Sequence, residues 1–148
     1  MFGDLYHNRV LELAADIPHA GRLDEPEGSS LKVSRVCGST VNVDLTLDEA
    51  GRIASIAVDP KACALGQAAT SVLAREAVGK SLEEIRAARD MLRAMLKEGG
   101  EAPSAGDPFW ELRHLAPVKD YPPRHASTML AFEAAVEAME QALAKRAS

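Results

Sequence analysis

Thiol chemistry is scarce in this 148-residue chain, which holds only Cys37 and Cys63. A small domain stapled for an oxidising compartment carries more cysteines than that, so reduced thiols are expected. Long apolar runs are missing too: none approaches the ~18 to 20 residues that a bilayer crossing needs. Met1 to Asp16 carries Asp4, Arg9, Glu12 and Asp16 where a secretory leader has a basic stretch followed by an apolar one. A soluble, cytoplasmic protein with no membrane partner is the expectation. Basic residues are in deficit, 17 Lys+Arg against 22 Asp+Glu. The broad positive surface that a phosphate backbone requires is therefore lacking, and nucleic acid falls away as a partner. There is no G-x-G-x-x-G, no G-x-x-x-x-G-K-[ST] and no G-x-S-x-G, which removes support for dinucleotide binding, P-loop chemistry and serine hydrolysis. With 47% hydrophobic and 26% charged residues, the chain suits one compact core and is too short for two, so a single domain over 1–148 is expected.

Apolar Leu5, Val10, Leu11, Leu13 and Ala14 recur at helical spacing from Asp4 to Ala15 and stop at Asp16-Ile17-Pro18. Residues 19–30 are polar and rich in turn formers, and read as an exposed connector. Between Leu31 and Val58 the period becomes two: Val41, Val43, Leu45 and Leu47 alternate with Asn42, Asp44 and Thr46, and Ile53, Ile56 and Val58 follow a turn at Gly51. This predicts an antiparallel meander with one wet face. Helical patterning returns over Ala62 to Val78, with Gly79 as its C-terminal glycine. Ser81-Leu82-Glu83-Glu84 reads as a capping box that opens a helix running to Gly99-Gly100. Residues 99–108 read as a loop, Phe109 to Leu115 as a short helical turn, Ala116 to Pro123 as a proline-rich connection and Ala126 to Ala144 as a last helix. The order predicts an α+β fold: a three-stranded antiparallel sheet with helices packed on one face, an N-terminal helix and a C-terminal helical run.

Cys37 lies in Val36-Cys37-Gly38-Ser39, between strand patterns, and Cys63 lies in Lys61-Ala62-Cys63-Ala64-Leu65-Gly66, at the start of a helix. Unpaired amides at a helix start carry partial positive charge and favour a thiolate, the form that ligates metal and attacks sulfur donors. A small buried hydrophobe is the competing role for either cysteine alone. The 25 residues between them match no C-x-x-C zinc pattern. His125, two residues before Ser127, offers an imidazole to complete a metal site, against a structural role beside a helix start. His7, His19 and His114 read as surface or packing residues, Phe109 and Trp110 as anchors of the loop in the core, and Met91, Met95, Met129 and Met139 as core fillers.

These residues resemble the NifU-like N-terminal (IscU/SufU-type) iron-sulfur cluster scaffold family over nearly the whole chain. Asp16-Ile17-Pro18-His19-Ala20-Gly21-Arg22-Leu23 resembles the family's N-P-R-N-x-G-x-L, and Cys37-Gly38 its C-G-D. Ala62-Cys63-Ala64 through Gly79-Lys80-Ser81-Leu82-Glu83 resembles G-C-x-x-x-x-A-S…G-K-S-L-E, the most specific stretch. Val118 to Ser127 resembles the segment leading to the family's third cysteine. Two departures stand out: Ser39 replaces the aspartate of C-G-D, and Ser127 aligns with the third cysteine.

The resemblance implies a non-enzymatic scaffold or carrier in which Cys37 and Cys63 bind iron or a labile 2Fe-2S cluster. His125, Ser39 or Ser127 would complete the ligands, or a homodimer would supply each cysteine twice. A cysteine desulfurase and recipient apo-proteins are the implied partners. Two alternatives stay open: a persulfide relay through Cys63 with zinc at Cys37, Cys63 and His125, and a metal-free paralogue acting as an interaction module.

Overall fold

The computed structural model describes residues 7–36 and 38–147. Helix α1, Asn8–Ala15, buries Val10 and Leu13 on one side, as the i, i+3 spacing requires. Strands β1 (Gly28–Val33), β2 (Thr40–Leu47) and β3 (Ile53–Lys61) form an antiparallel sheet in the order β1-β2-β3. Helices α2 (Ala64–Glu76) and α3 (Leu82–Lys97) follow, then a long 3-10 helix, Trp110–Asp120, and the 23-residue α4, His125–Ala147. Val41, Val43, Leu45 and Leu47 alternate along β2 and enter one hydrophobic cluster with Leu65, Leu73, Leu92, Phe132 and Met139. The fold is α+β, with the helical layer on one side of the meander.

The turns and caps are built as their residues dictate. Asp48 Oδ1 accepts from the amides of Ala50 and Arg52, each at 2.9 Å, and Gly51 takes φ 82°, the left-handed conformation that glycine adopts without penalty. Ser81 and Glu84 form a reciprocal capping box at the start of α3. Pro60 falls inside β3, which is tolerable because β3 lies at a sheet edge.

Four expectations change. The 19–30 connector is shorter than its composition suggests, because β1 starts at Gly28: a Cβ there would lie 1.9 Å from the carbonyl oxygen of Ala138, so α4 presses directly on the strand backbone. The proline-rich connection is helical, since Phe109, Leu112, Leu115 and Val118 recur every third residue and are all buried, the period of a 3-10 helix. Within that segment Phe109 anchors edge-to-face on Phe132, but Trp110 stays 39% exposed with Arg113 and His114 against its ring.

The wet face of the meander is also partly covered. Residues 19–23 lie over it, with the His19 carbonyl accepting from the Val58 amide at 2.9 Å and the Gly21 amide donating back to Val58 at 2.8 Å. Beneath this loop Asp44 is fully buried. Its carboxylate accepts from Arg22 Nε at 2.6 Å, Ser29 Oγ at 2.5 Å, Asn42 Nδ2 at 2.9 Å and the Leu23 amide at 3.1 Å. Burial alone would raise its pKa, but Arg22 and the other donors outweigh that and hold it at about 2, against an ordinary value of 3.8.

A depressed carboxylate contributes stability above its unfolded pKa and loses it as pH falls through the folded one. Each tenfold tightening of proton binding is worth about 1.4 kcal/mol. Asp44 should therefore contribute roughly 2 kcal/mol at neutral pH and lose it between about pH 4 and pH 2. Urea denaturation of Asp44→Asn should show that deficit at pH 7 and a flatter stability profile across the acid window. An unchanged midpoint would assign the loop's attachment elsewhere.

Candidate functional site

The register Val33↔Thr40 and Thr40↔Lys61 brings the end of β1, the start of β2 and the end of β3 together at one end of the sheet. From that end spring the 34–39 loop and the junction into α2. The loop is closed at its foot by the Ser34 amide on the Ser39 carbonyl and the Gly38 amide on the Ser34 carbonyl, both at 2.8 Å. Gly38 takes φ 71°, and Ser34 and Ser39 are buried. Cys37, the first expected ligand, lies outside the described residues. The foot of its loop is one register step from the strand end that leads to Cys63.

Cys63 is the N-cap residue of α2, with extended backbone (φ −67°, ψ 171°) and no side-chain cap hydrogen bond. Its carbonyl accepts the Gln67 amide at 2.9 Å, and Gln67 Nε2 reaches back to the Ala62 carbonyl at 2.8 Å, which fixes the turn. The side chain is half-buried and unoxidised. Instead of turning back on its own helix, its Sγ lies 3.8 Å from Ser127 Oγ on the first turn of α4. Ser127 is 1% exposed and donates its proton to the Arg124 carbonyl at 3.2 Å. Its free lone pairs thus face the thiol, which is the donor in this pair.

The residue taken to align with a third cysteine is accordingly the one that touches Cys63. What sets the approach is Gly66: a Cβ there would lie 2.9 Å from Ala62 Cβ and 3.1 Å from the Ser127 carbonyl oxygen. The glycine in the first turn of α2 thus serves helix packing, and only through packing does it place the thiol.

His125 occupies the first position of α4 and is buried. Its Nε2 donates to the carbonyls of Val118 at 2.9 Å and Lys119 at 3.2 Å, tying the end of the 3-10 helix to the start of α4. With the proton on Nε2, the imidazole lone pair is on Nδ1, so a ligand role through Nε2 would require breaking that tie. Among the described residues, no three His, Cys, Asp or Glu side chains come together as a metal-ligand group. His7 and His114 pack on each other with ring centroids 5.4 Å apart, and His7 Nε2 donates to the His114 carbonyl at 3.2 Å. Burial first, and His7 second, holds the His114 imidazole below its ordinary pKa. His19 adopts φ 59°, and its carbonyl pairs with β3. His7 and His114 are packing residues and His19 is a surface one, the two roles that their lack of sequence partners suggested.

Reasoning from the sequence missed the Ser127–Cys63 contact as a contact and the Gly66 approach that creates it. The signal for the second was the single glycine in an otherwise good helix former. Gly66→Ala should cost about 1 to 3 kcal/mol through overpacking, read as a lower urea midpoint. Gly106→Ala, where a Cβ meets nothing within 4 Å, should stay near wild type. Equal midpoints for the two variants would mean that the close approach is not a constraint.

Comparison with known proteins places this geometry in a family. The model of the NifU-like N-terminal domain matches residues 5–128. A curated relative from Streptococcus pyogenes serotype M1, the iron-sulfur cluster assembly scaffold protein IscU, is 31% identical over 123 residues, covering 83% of this chain and 75% of its own. The crystal structure of a nitrogen-fixing NifU-like protein (N-terminal) from Brucella abortus superposes with a TM-score of 0.92 at 42% identity, over 97% of this chain and 98% of that one. A putative iron-sulfur cluster assembly scaffold protein for the SUF system from Fervidobacterium islandicum has a TM-score of 0.82 over 93% of this chain and 98% of its own; at 19% identity it bears on the fold alone. The match spans most of the sequence and both ends of the site, and the chain belongs to the NifU-like N-terminal domain family.

Proposed function

We propose that this chain is a non-enzymatic iron-sulfur cluster assembly scaffold or carrier, acting in the cytoplasm as one domain over residues 1–148. Cys37 and Cys63 take iron or a labile 2Fe-2S cluster as cargo and pass it to recipient apo-proteins, with sulfur supplied by a cysteine desulfurase. The observation that carries this reading is the placement of Cys63. Its half-buried thiol stands at the start of a helix, free of a capping bond, beside Ser127 and at the same sheet end as the loop to which Cys37 belongs. The family and the Streptococcus relative's name supply the class of cargo.

The donor set fits a weakly held cargo. Thiolates are the customary ligands of iron-sulfur clusters, with imidazole as a substitute. Two cysteines leave positions to be filled, and the neighbours here are an alcohol, Ser127, already bonded to a carbonyl, and an imidazole, His125, whose Nε2 is bonded likewise. Ser127 would ligate through a lone pair while keeping its bond to the Arg124 carbonyl, whereas His125 would have to release Val118 and Lys119 to ligate through Nε2. Among the described residues no helix is long and apolar enough to cross a membrane.

Anaerobic reconstitution with ferrous iron and sulfide tests this directly. The wild type should develop visible absorbance that Cys37→Ser and Cys63→Ser abolish, while Ser127→Cys, adding a thiolate beside Cys63, should slow cluster loss to a chelator. A colourless wild type, or a cluster indifferent to Cys63→Ser, would remove the scaffold reading. Stoichiometric zinc without iron uptake, together with a mass gain of one sulfur on Cys63 when a cysteine desulfurase and cysteine supply the sulfur, would select a persulfide relay. Neither metal nor sulfur uptake would leave a metal-free interaction module.

A further inference from the structure

Edge β3 of the sheet is paired with the 19–21 loop, whereas edge β1 is largely bare. Ladder parity shows which of its main-chain groups face outward. The Ser34 amide bonds to the Ser39 carbonyl, and the pairs before it are Val33↔Thr40, Lys32↔Val41, Leu31↔Asn42 and Ser30↔Val43. Bonded and non-bonded pairs alternate in an antiparallel ladder. Ser30 and Lys32 therefore use their amides and carbonyls on β2, while Ser29, Leu31 and Val33 turn theirs away. Ser29 obeys this parity: its amide leaves the ladder and is taken by Gln141 Oε1 at 3.2 Å. The amides of Leu31 and Val33 have no such side-chain partner among the described residues.

The side chains at these positions are as open as the backbone. Leu31 is 57% exposed, Val33 54% and Val36, just past the strand, 70%. Natural edges are usually blunted by an outward charge or proline. The charge here, Lys32, points to the helical side and pairs with Glu137 at 2.6 Å. Arg35, exposed beyond the end of the strand, makes no ion pair among the described residues.

We propose that the β1 edge accepts an extended segment of a partner protein as a fourth strand, apolar at alternate residues and acidic where it meets Arg35. Main-chain bonds from Leu31 and Val33 would give affinity, and the Leu31, Val33 and Val36 side chains would select the apolar positions. The open stretch is about three residues, roughly 10 Å at strand rise, too short to build by itself the ~800 Å² per partner of a standard subunit interface. A second copy fits poorly for another reason. Self-pairing centred on Lys32, which matches Leu31 with Val33 of the copy, sets two lysines opposite each other. Docking stands without the cluster reading, which supplies only its use: β1 runs straight into the loop of Cys37, so a bound strand would hold a donor or recipient alongside it.

The test uses metal-free wild-type protein and a fluorescein-labelled synthetic peptide, Asp-Val-Thr-Val-Asp, with Lys-Val-Thr-Val-Lys as the charge-reversed control. Anisotropy should show saturable binding of the acidic peptide, roughly three- to tenfold weaker for Val33→Pro, which deletes an outward amide that the sheet does not use. Leu31→Glu and the reversed peptide should be weakened similarly, and hydrogen exchange of the Leu31 and Val33 amides in the wild type should slow on binding. Cluster loading of Val33→Pro should equal that of the wild type, which separates this proposal from the scaffold reading. If Val33→Pro does not fold, Leu31→Glu and the exchange data decide. No saturation up to ~1 mM, equal binding by folded Val33→Pro, or sedimentation showing wild-type self-association that Val33→Pro removes would each overturn it.

Discussion

Two backbone contacts hold α4 where it is. Past its middle Ala138 lies so near Gly28 that no Cβ fits between helix and strand, and in its first turn Ser127 approaches Gly66 at the start of α2. A helix that comes this close to a strand and to another helix must present small residues. α4 does so, burying Ala131, Ala134, Ala135, Ala138 and Ala142 without exposure above 1%. Phe132, Met129 and Met139 fill the spaces those alanines leave. Pinned at these two points, the helix fixes the position of its first turn relative to α2, and with it the 3.8 Å separation of Cys63 and Ser127. The site is thus a consequence of packing: its two described members stand 64 residues apart in sequence.

The two faces of the sheet are stabilised by different physics. On the helical face the alternating valines and leucines of β2 are buried against hydrocarbon, a non-directional gain. On the other face a buried carboxylate organises the segment above it: Asp44 collects a guanidinium, a hydroxyl, a side-chain amide and a backbone amide. A buried charge is tolerable when it is fully hydrogen-bonded, as this one is, and removing a partner costs more than the pair contributes. Residues 19–23 are thereby held over the sheet and pair with β3. One edge is closed by this attachment, and the other is left with its main-chain groups turned outward.

Elements with strong period or chemistry were legible in the sequence. The alternation of β2, the Gly51 turn, the Ser81 capping box and the helical stripe from Met129 to Leu143 each lead to the structure by a single local rule. What was not legible depends on long-range contact. Asn42 and Asp44 look solvated because they alternate with valines, and nothing local says that residues 19–23 will bury them. Gly28 looks like part of a turn-rich connector, and only its approach to Ala138 makes it a strand residue. The helical turn over Phe109 to Leu115 was legible, but the prolines between Ala116 and Pro123 hid its continuation through Val118 to Asp120. At the site, His125 and Ser127 were singled out by position alone. Their hydrogen bonds, which decide how available each is as a donor, are tertiary facts.

On the proposed reading, those hydrogen bonds bear on how tightly cargo would be held. A hydroxyl that faces a thiol can donate to sulfur only by giving up the Arg124 carbonyl, and an imidazole at His125 can use Nε2 only by releasing Val118. A ligand bond from Nε2 of His125 is therefore offset by the hydrogen bonds it replaces, and its net gain shrinks accordingly. Alcohol oxygen is also a harder donor than thiolate and less suited to iron-sulfur chemistry. A site built this way binds more weakly than one with three thiolates. Weak binding suits a protein that must release what it carries, because a departing cluster would return His125 to the carbonyls that it bonds in the empty protein.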